Sequence, residues 1–264
     1  MTPYIAQPQN RVLRDAMYIV AQISDRARMT MHDSSIHIRA RDDIGTTMLW
    51  IEIPATVLGE GYSPEHFPAE LGIDSKKMYR MLNAYEAAAT IRVHYVQGTG
   101  TDWIKISGTE GTLWTHPTDL SSIQSIPPLA RIQAHHPPIV SGTRDAGHFK
   151  DWLKQIADKE TTISFRYEKG SGRFPVKTVS TVSEHSGLHP IAVVLSHPKV
   201  PDDADSLRSL ISFDLLQDAI SPPCINSDLK FAFGNNTPLY INTKVNGCDV
   251  AIAIAPRIDI GEEP

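Results

Sequence analysis

The sequence predicts an α+β protein of two similar domains, each with antiparallel sheets and a pair of helices on one face. A short amphipathic stretch followed by β-rich segments occurs four times along the 264 residues. The stretches open at nearly even intervals, near Arg11, Ser75, Arg144 and Phe213. Between the second and third repeats, residues 117–138 are rich in Pro, Ser and His, which is typical of a long connector between two domains.

The first repeat predicts one helix and three strands. Apolar residues recur at the spacing of a single helical face after Arg11 and indicate a helix of about three turns. Residues 28–32, 36–40 and 46–53 then alternate between apolar and polar side chains, and turn residues separate the first two of these segments. Such alternation predicts antiparallel strands.

The second repeat has the same order of elements. Asp74 is placed to cap a helix whose apolar face includes Met78 and Leu82. Residues 90–97 and 103–107 follow as two apolar segments, joined by a Gly-Thr-Gly-Thr sequence that suits a hairpin turn. We therefore expect a helix followed by a hairpin.

The third and fourth repeats again place a helix before strands. Phe149 and Trp152 lie on the apolar face of the third helix, and residues 162–167 and 174–182 predict strands around a Gly-rich turn. The fourth helix is expected over residues 213–221. The strands predicted after it are residues 229–233, 239–245 and 250–255. Because helices below about 12 residues are marginal alone, we expect their apolar faces to pack on the sheets.

The composition excludes several classes of protein. The formal net charge is −5 and 41% of the residues are hydrophobic, which indicates a globular protein whose overall charge does not attract nucleic acid. The two cysteines, Cys224 and Cys248, form no CxxC motif, and no apolar run approaches the ~20 residues that cross a bilayer. These features favour a reducing compartment, the cytoplasm or a nucleus, and predict no membrane partner.

The basic residues are concentrated on the first three amphipathic stretches. Eight of the 25 Lys and Arg residues lie there, namely Arg11, Arg14, Lys76, Lys77, Arg80, Arg144, Lys150 and Lys154. One interpretation is a set of solvated helix faces. The other is a surface that binds DNA phosphates without reading the bases. The fourth stretch does not fit the second interpretation, because it carries Asp214 and Asp218 and no cation.

Several motifs resemble those of a known family. They are a Leu-Gly-Ile-Asp sequence at 71–74, Asp42 after a strand, Pro238-Leu239, and an Ala-Pro-Arg-Ile sequence at 255–258 that precedes an acidic tail. Together with the order of the elements, they are similar to the DNA sliding clamps of the proliferating cell nuclear antigen type. The resemblance covers nearly the whole chain.

The resemblance implies the DNA clamp fold and a ring. Family members are two-domain subunits, here residues 1–117 and 134–264 joined by a connector at 118–133, and three of them close head to tail with pseudo-sixfold symmetry. Helices line the central hole and face double-stranded DNA, while residues 109–115 and 174–182 are the edge strands that pair across subunits. The protein is accordingly expected to be a homotrimeric DNA polymerase processivity factor and not an enzyme.

The resemblance also implies a pocket for client proteins. DNA polymerase, the clamp loader, ligase and nuclease carry a short motif, with a glutamine and a hydrophobic-aromatic plug, that docks beneath the connector. The matching positions are Thr46, Ile123, Ile126, Pro127, Pro238, Ala253, Ile254, Ala255 and Pro256. Ala253 stands where the family often has an aromatic residue, and Arg41 stands where it is often apolar. These departures predict an altered client preference.

Motifs for other functions are incomplete. The glycines around 98–100 and 170–172 lack the third glycine and the following helix of a dinucleotide loop, and the His135-His136 and His185/His189 pairs lack the carboxylate of a metalloprotease motif. We therefore predict no catalytic residue, no cofactor and no metal. Two alternatives stay open: an α+β enzyme such as a hydrolase with an unrecognised active site, and a protein-binding module that forms no ring.

Overall fold

A computed structural model of the chain describes residues 8–59, 62–64, 68–156, 162–170, 176–181 and 192–257. The chain divides into two compact units. The first unit consists of Met1–Ile126 with Lys244–Val250, and the second consists of Pro127–Thr243 with Ala251–Pro264. The main division falls within the predicted connector, whereas the transfer of residues 244–250 to the first unit was not predicted.

The described part of the first unit contains three helices and seven strands. The helices are α1 (Asn10–Ile23), α2 (Ala55–Leu58) and α3 (Ser75–Leu82). The strands are β1 (Arg26–His32), β2 (Ser35–Arg41), β3 (Thr47–Pro54), β4 (Glu70–Asp74), β5 (Arg92–Val96), β6 (Trp103–Gly108) and β7 (Gly111–Thr115). Antiparallel pairing gives the orders β3-β2-β1-β4 and β5-β6-β7.

Helices α1 and α3 lie against each other and against the β3-β2-β1-β4 sheet. Tyr18 of α1 and Tyr79 of α3 are in contact, with ring centroids 5.0 Å apart. Asp74 caps α3 as predicted, because its Oδ1 accepts a hydrogen bond from the backbone N–H of Lys77 at 2.8 Å. The helix pair of this unit therefore rests on one face of its sheet.

Asn10 joins the start of α1 to the end of α3. Its side chain is fully buried, and Nδ2 donates hydrogen bonds to the carbonyl oxygens of Leu82 and Tyr85, both at 2.9 Å. The last carbonyls of a helix have no partner within that helix, so the amide satisfies groups that are otherwise unpaired. The sequence pattern did not predict this contact.

The described part of the second unit contains three helices and seven complete strands, and the two strands of the last hairpin are shared between the units. The helices are α4 (Leu129–His135), α5 (Ala146–Lys154) and α6 (Phe213–Ile220). The strands are β8 (Val140–Arg144), β9 (Thr162–Tyr167), β10 (Val176–Thr181), β11 (Ala192–Val194), β12 (Ser196–Lys199), β13 (Leu207–Ser212), β14 (Leu229–Phe233) and β15 (Leu239–Val245). The last two residues of β15 belong to the first unit. Antiparallel pairing gives the orders β12-β8-β14-β15 and β11-β10-β9-β13.

An aromatic cluster forms the core of the second unit. Phe149 of α5 lies 4.7 Å from Phe231 of β14, and Phe231 lies 5.5 Å from Phe165 of β9, measured between ring centroids. All three side chains are fully buried. Because β9 and β14 belong to different sheets, this cluster holds both sheets of the unit to α5.

The last hairpin of the chain ends in a two-residue turn. Asn246 and Gly247 have φ values of 50° and 83°, as in the type I′ turn that suits twisted antiparallel strands. The turn joins β15 to β16 (Cys248–Ile254). Its tip belongs to the first unit, where Nδ2 of Asn246 donates to Oδ2 of Asp15 at 2.8 Å.

The α+β class and the antiparallel sheets are confirmed, but two element predictions are wrong. Arg144 ends β8 and does not open the third helix, because Asp145 caps that helix by accepting a hydrogen bond from the backbone N–H of His148 at 2.8 Å. Strand β10 pairs with both β9 and β11, so residues 176–181 are not an edge strand. The remainder of the predicted strand 174–182 lies outside the described residues.

Some elements were not predicted at all. Strands β4 and β13 each run directly into a helix, and both contain glycine or serine, which lowers the strand signal. The predicted connector contains helix α4. Across the described ranges, no helix has the length and apolar character required to cross a membrane.

Replacing Asn10 with Ala is expected to lower the free energy of unfolding by about 2–3 kcal/mol, because the buried carbonyl groups at the end of α3 lose their donor. Urea denaturation followed by circular dichroism measures this change. Asn83→Ala is the matched control, since Asn83 is exposed beside the same helix end, and it should stay within about 0.5 kcal/mol of the parent. Equal stability of the two variants would contradict the assigned role of Asn10.

Candidate functional site

Gly72 of β4 is a point at which the connector meets the sheet of the first unit. The backbone N–H of Thr118 donates to the carbonyl oxygen of Gly72 at 2.8 Å. A Cβ atom on Gly72 would lie 2.1 Å from the carbonyl oxygen of Thr118, which is closer than two non-bonded atoms can approach. The glycine of the Leu-Gly-Ile-Asp motif therefore makes room for the connector.

Arg28 of β1 forms hydrogen bonds with the next part of the connector. Its guanidinium is partly buried, and Nη1 donates to Oε2 of Glu70 at 2.8 Å. Nη2 donates to the carbonyl oxygens of Leu120 and Ile123 at 3.3 and 3.2 Å. Hydrogen bonds from a charged donor are stronger than neutral ones and fix geometry. One side chain thus joins β1, β4 and the connector.

A cavity of about 320 Å³ lies beside this part of the connector. Its lining comes from three places: the start of β1, the end of β2 with the turn after it, and the connector. The lining residues are Ser24, Asp25, Arg26, Arg41, Asp42, Asp43, Ser122, Ile123, Gln124 and Ile126. Ile123 and Ile126 are only 7% and 4% exposed and form the apolar part of an otherwise polar wall.

Two of the three carboxylates in this wall already have partners. Asp25 forms an ion pair with Lys76, with Oδ1 and Nζ 2.6 Å apart. Asp42 accepts hydrogen bonds from the hydroxyl of Thr46 and from the backbone N–H of Thr47. These bonds fold the turn after β2, and they account for the Asp42 that the sequence places after a strand.

The two guanidinium groups of the wall, those of Arg26 and Arg41, form fewer hydrogen bonds and ion pairs than these carboxylates. The Nε atom of Arg41 is buried without a hydrogen-bond partner. Within the described ranges, the guanidinium of Arg26 forms no hydrogen bond or ion pair. The cavity therefore combines an apolar part with unpaired donors that carry positive charge.

The residues predicted for the client pocket fall in both units. In the first unit, Ile123 and Ile126 line the cavity, whereas Thr46 belongs to the turn after β2. In the second unit, four residues are partly exposed: Pro127, Pro238, Ala255 and Pro256. Ala253 and Ile254 on β16 are 5% and 0% exposed, so they are buried to about the same extent as Ile123 and Ile126.

The helix pair of the first unit carries a concentrated positive charge. Helices α1 and α3 contain five Lys and Arg residues and one carboxylate. Four of the cations are exposed: Arg11, Lys76, Lys77 and Arg80. Arg14 lies beside the carboxylate of Asp15, with Nε and Oδ1 3.3 Å apart. The ion pair of Lys76 is exposed on both sides and is therefore weak.

The helix pair of the second unit is less basic than predicted. Helices α5 and α6 contain two Lys residues and three carboxylates. Arg144 lies on β8, where Nη1 donates to the carbonyl oxygen of Val194 at 3.5 Å. Lys154 is exposed and pairs with Asp151 at 2.9 Å. The positive surface is thus concentrated on the first unit.

Lys150 of α5 is held within the second unit. Its Nζ donates to the carbonyl oxygens of Pro222 and Ile225, at 2.6 and 2.7 Å. Burial lowers the pKa of this ammonium group below its usual value. Lys150 therefore joins α5 to the turn after α6 and does not lie on the open face that the sequence predicted.

The described residues include no group of three or more His, Cys, Asp or Glu side chains that could hold a metal ion. His135 ends α4 and His136 follows it. The second histidine pair, His185 and His189, lies outside the described residues.

Comparison with known proteins gives a consistent result. No family model matches the chain. It is 22% identical over 267 residues to the DNA polymerase sliding clamp of Methanosarcina mazei, covering 94% of this chain and 96% of that protein. It is also 22% identical, over 252 residues, to the sliding clamp of Methanococcoides burtonii, with the same coverage.

Solved structures of PCNA share the fold. The structure of A. fulgidus PCNA with the C-terminal region of FEN-1 bound matches with a TM-score of 0.75 at 18% identity, over 96% of this chain and 98% of that one. PCNA from Entamoeba histolytica matches with a TM-score of 0.76 at 13% identity, over 98% and 100%. The chain therefore has the fold of the DNA sliding clamps. The chain is thus similar to sliding clamps in sequence and shares their fold along nearly its whole length.

Replacing Gly72 with Ala is expected to displace the connector, because the added methyl group would overlap the carbonyl of Thr118. Hydrogen exchange of the amides in residues 118–126 should become faster by about 10- to 100-fold, since local opening costs less free energy. Gly100→Ala is the control, because a Cβ atom there meets nothing within 4 Å. Unchanged protection in Gly72→Ala would contradict the close contact.

Proposed function

We propose that the protein is a sliding clamp that encircles duplex DNA and tethers replication and repair enzymes as a DNA polymerase processivity factor. The observation that supports this function best is the match to sliding clamps along nearly the whole chain. A clamp performs no chemistry. It raises the local concentration of enzymes on DNA by keeping them tethered, so that weak and repeated encounters become productive.

The proposed ring contains three copies joined through strand edges. Strand β7 is an edge of its sheet and carries Trp114, which is 46% exposed. Strand β11 is an edge in the second unit and takes the place that we had expected for residues 174–182. Pairing between such edges satisfies exposed backbone groups and makes a closed head-to-tail assembly. The match to a PCNA2–PCNA3 complex from Sulfolobus tokodaii makes a ring of different chains the alternative to a homotrimer.

The proposed DNA-facing surface is centred on α1 and α3. Arg11, Lys77 and Arg80 are exposed there, and Arg14 and Lys76 lie beside them on the same two helices. Arg144, Lys150 and Lys154 contribute less, because each contacts another group of the second unit. Such a surface binds phosphates independently of base sequence.

The proposed client site includes the cavity beside the connector. Ile123 and Ile126 provide apolar surface for a hydrophobic-aromatic plug, and the partly exposed Pro127, Pro238, Ala255 and Pro256 are the further predicted contacts. Since the A. fulgidus structure contains the C-terminal region of FEN-1, nucleases are among the proposed clients. DNA polymerase, ligase and the clamp loader are proposed on the same basis.

Loading the protein onto nicked circular DNA with a clamp loader should give a complex that survives gel filtration, because a closed ring cannot leave a circle. Cutting the circle should release the protein, and light scattering should give three times the subunit mass. A monomer that leaves circular and linear DNA equally fast would exclude the clamp. Hydrolytic activity in such a monomer would favour the enzyme alternative, and client binding without retention would favour the binding module.

The triple variant Lys76→Gln, Lys77→Gln, Arg80→Gln is expected to bind duplex DNA more weakly while remaining a trimer. The slope of log K against log salt should become shallower by about 0.9 for each phosphate contact removed. Fluorescence anisotropy at several salt concentrations measures both quantities. The matched control removes three exposed cations outside the helix pairs, Arg131, Lys199 and Lys230. Equal loss of affinity in both variants would exclude a specific role for α3.

A further inference from the structure

We propose that the cavity beside the connector recognises an acidic residue of client peptides, with the guanidinium of Arg41 as the group that binds its carboxylate. This inference rests on the proposed clamp function, because it specifies which clients the site selects. The resemblance to sliding clamps implies an apolar pocket in this region. The cation is a property of this chain.

The first argument is the state of the Arg41 side chain. Arg41 ends β2 and lines the cavity, and its Nε–H is buried without an acceptor. A buried donor that lacks an acceptor costs free energy, which an incoming acceptor recovers. Guanidinium presents its N–H groups in a planar fork that matches a carboxylate. The guanidinium of Arg41 is therefore incompletely hydrogen-bonded where it lines the cavity, and a carboxylate fits its planar fork.

The second argument is that the guanidinium is held in place before a ligand arrives. It packs against Gly45, where an added Cβ atom would lie 3.2 Å from Cζ and 3.4 Å from Nε of Arg41. Gly45 has a φ of 78°, which favours glycine. The same turn is closed by the bonds of Asp42 to Thr46 and Thr47. A cation that is already positioned loses little entropy when it binds.

The third argument is the balance of charge around the cavity. Asp25 is paired with Lys76, and Asp42 is engaged by its own turn, so neither competes fully for Arg41. Arg26 lines the same wall, and its guanidinium has no hydrogen-bond or ion-pair partner in the described part of the chain. Asp43 is the third carboxylate of the wall, and within the described residues none of the three forms an ion pair with Arg41, so the charge of Arg41 remains available to a ligand.

The fourth argument distinguishes a peptide from DNA. The buried side chains of Ile123 and Ile126 lie in the wall with the two guanidinium groups, and a volume of about 320 Å³ is large enough for two or three side chains. A DNA backbone offers phosphates but no apolar group for these isoleucines. A peptide with an acidic residue beside an apolar one satisfies both parts.

The test uses two sets of short synthetic peptides and the full-length protein. All peptides share a glutamine, an aliphatic residue and an aromatic pair. In one set each remaining position is in turn Glu, and in the other set it is Gln. Fluorescence anisotropy should show that Glu at one favoured position binds about ten-fold more tightly than Gln at the same position. The ratio should fall as salt is added, because the contact is ionic.

Variants assign the preference to Arg41. In Arg41→Gln the affinity ratio of the Glu and Gln peptides should fall to about one, whereas Arg131→Gln, which removes an exposed cation of α4, should leave the ratio unchanged. Ile126→Ala should weaken both peptides by a similar factor, because it removes apolar surface and no charge. Because the preference is measured first in the parent protein, it does not depend on the folding of any variant.

The outcomes separate this inference from the clamp proposal. Retention on circular DNA with equal binding of the Glu and Gln peptides, or with no peptide binding, overturns the acidic-client inference and leaves the clamp intact. If Arg41→Gln weakens duplex DNA binding and leaves the peptide ratio unchanged, the cavity is a phosphate site and the inference is likewise overturned. Loss of topological retention in the parent protein overturns the clamp itself.

Discussion

The architecture of the candidate site depends on one partly buried guanidinium, that of Arg28. It connects a carboxylate on β4 with two carbonyl groups of the connector, so that the cavity wall is formed by chain segments far apart in sequence. A partly buried cation is stabilised by acceptors for its N–H groups. The connector provides two of them for Nη2, although Nε has none, and the absence of a side chain on Gly72 lets the connector approach. The binding surface is therefore fixed by the needs of a structural residue.

Charge is distributed unevenly in this molecule, and for attraction to phosphate this distribution matters more than the net charge. An overall formal charge of −5 predicts little attraction to DNA, yet α1 and α3 place five cations on one helix pair. In the second unit, Lys150 is drawn into contacts with carbonyl groups and α6 carries only carboxylates of its own. In the proposed ring, attraction to phosphate would alternate with nearly neutral regions. Such an arrangement suits a clamp that must hold DNA loosely enough to slide.

Features that depend on neighbours in sequence could be predicted, and features that depend on distant partners could not. The cap of α3 by Asp74 is local and was found where the pattern predicted it, and the turn at Asn246-Gly247 lies between the predicted strands 239–245 and 250–255. The contacts of Asn10 and Arg28 reach residues more than seventy positions away, so no periodicity reveals them. At the candidate site, Ile123 and Ile126, which the resemblance had suggested, line a cavity, and their role in client binding stays a prediction. The resemblance did not reveal that Ile254 is buried or that Arg41 has an unpaired donor.

The hairpin tip formed by Lys244–Val250 has a consequence for the order in which the protein folds during synthesis. These residues follow most of the second unit in the sequence, but they belong to the first unit, and Asn246 bonds to Asp15 across 231 positions. The ribosome therefore synthesises residues 127–243 of the second unit before the first unit has all its parts. Domains generally fold as units during translation. Here the first unit can be completed only after most of the second unit has been synthesised, so the two units cannot be finished strictly one after the other.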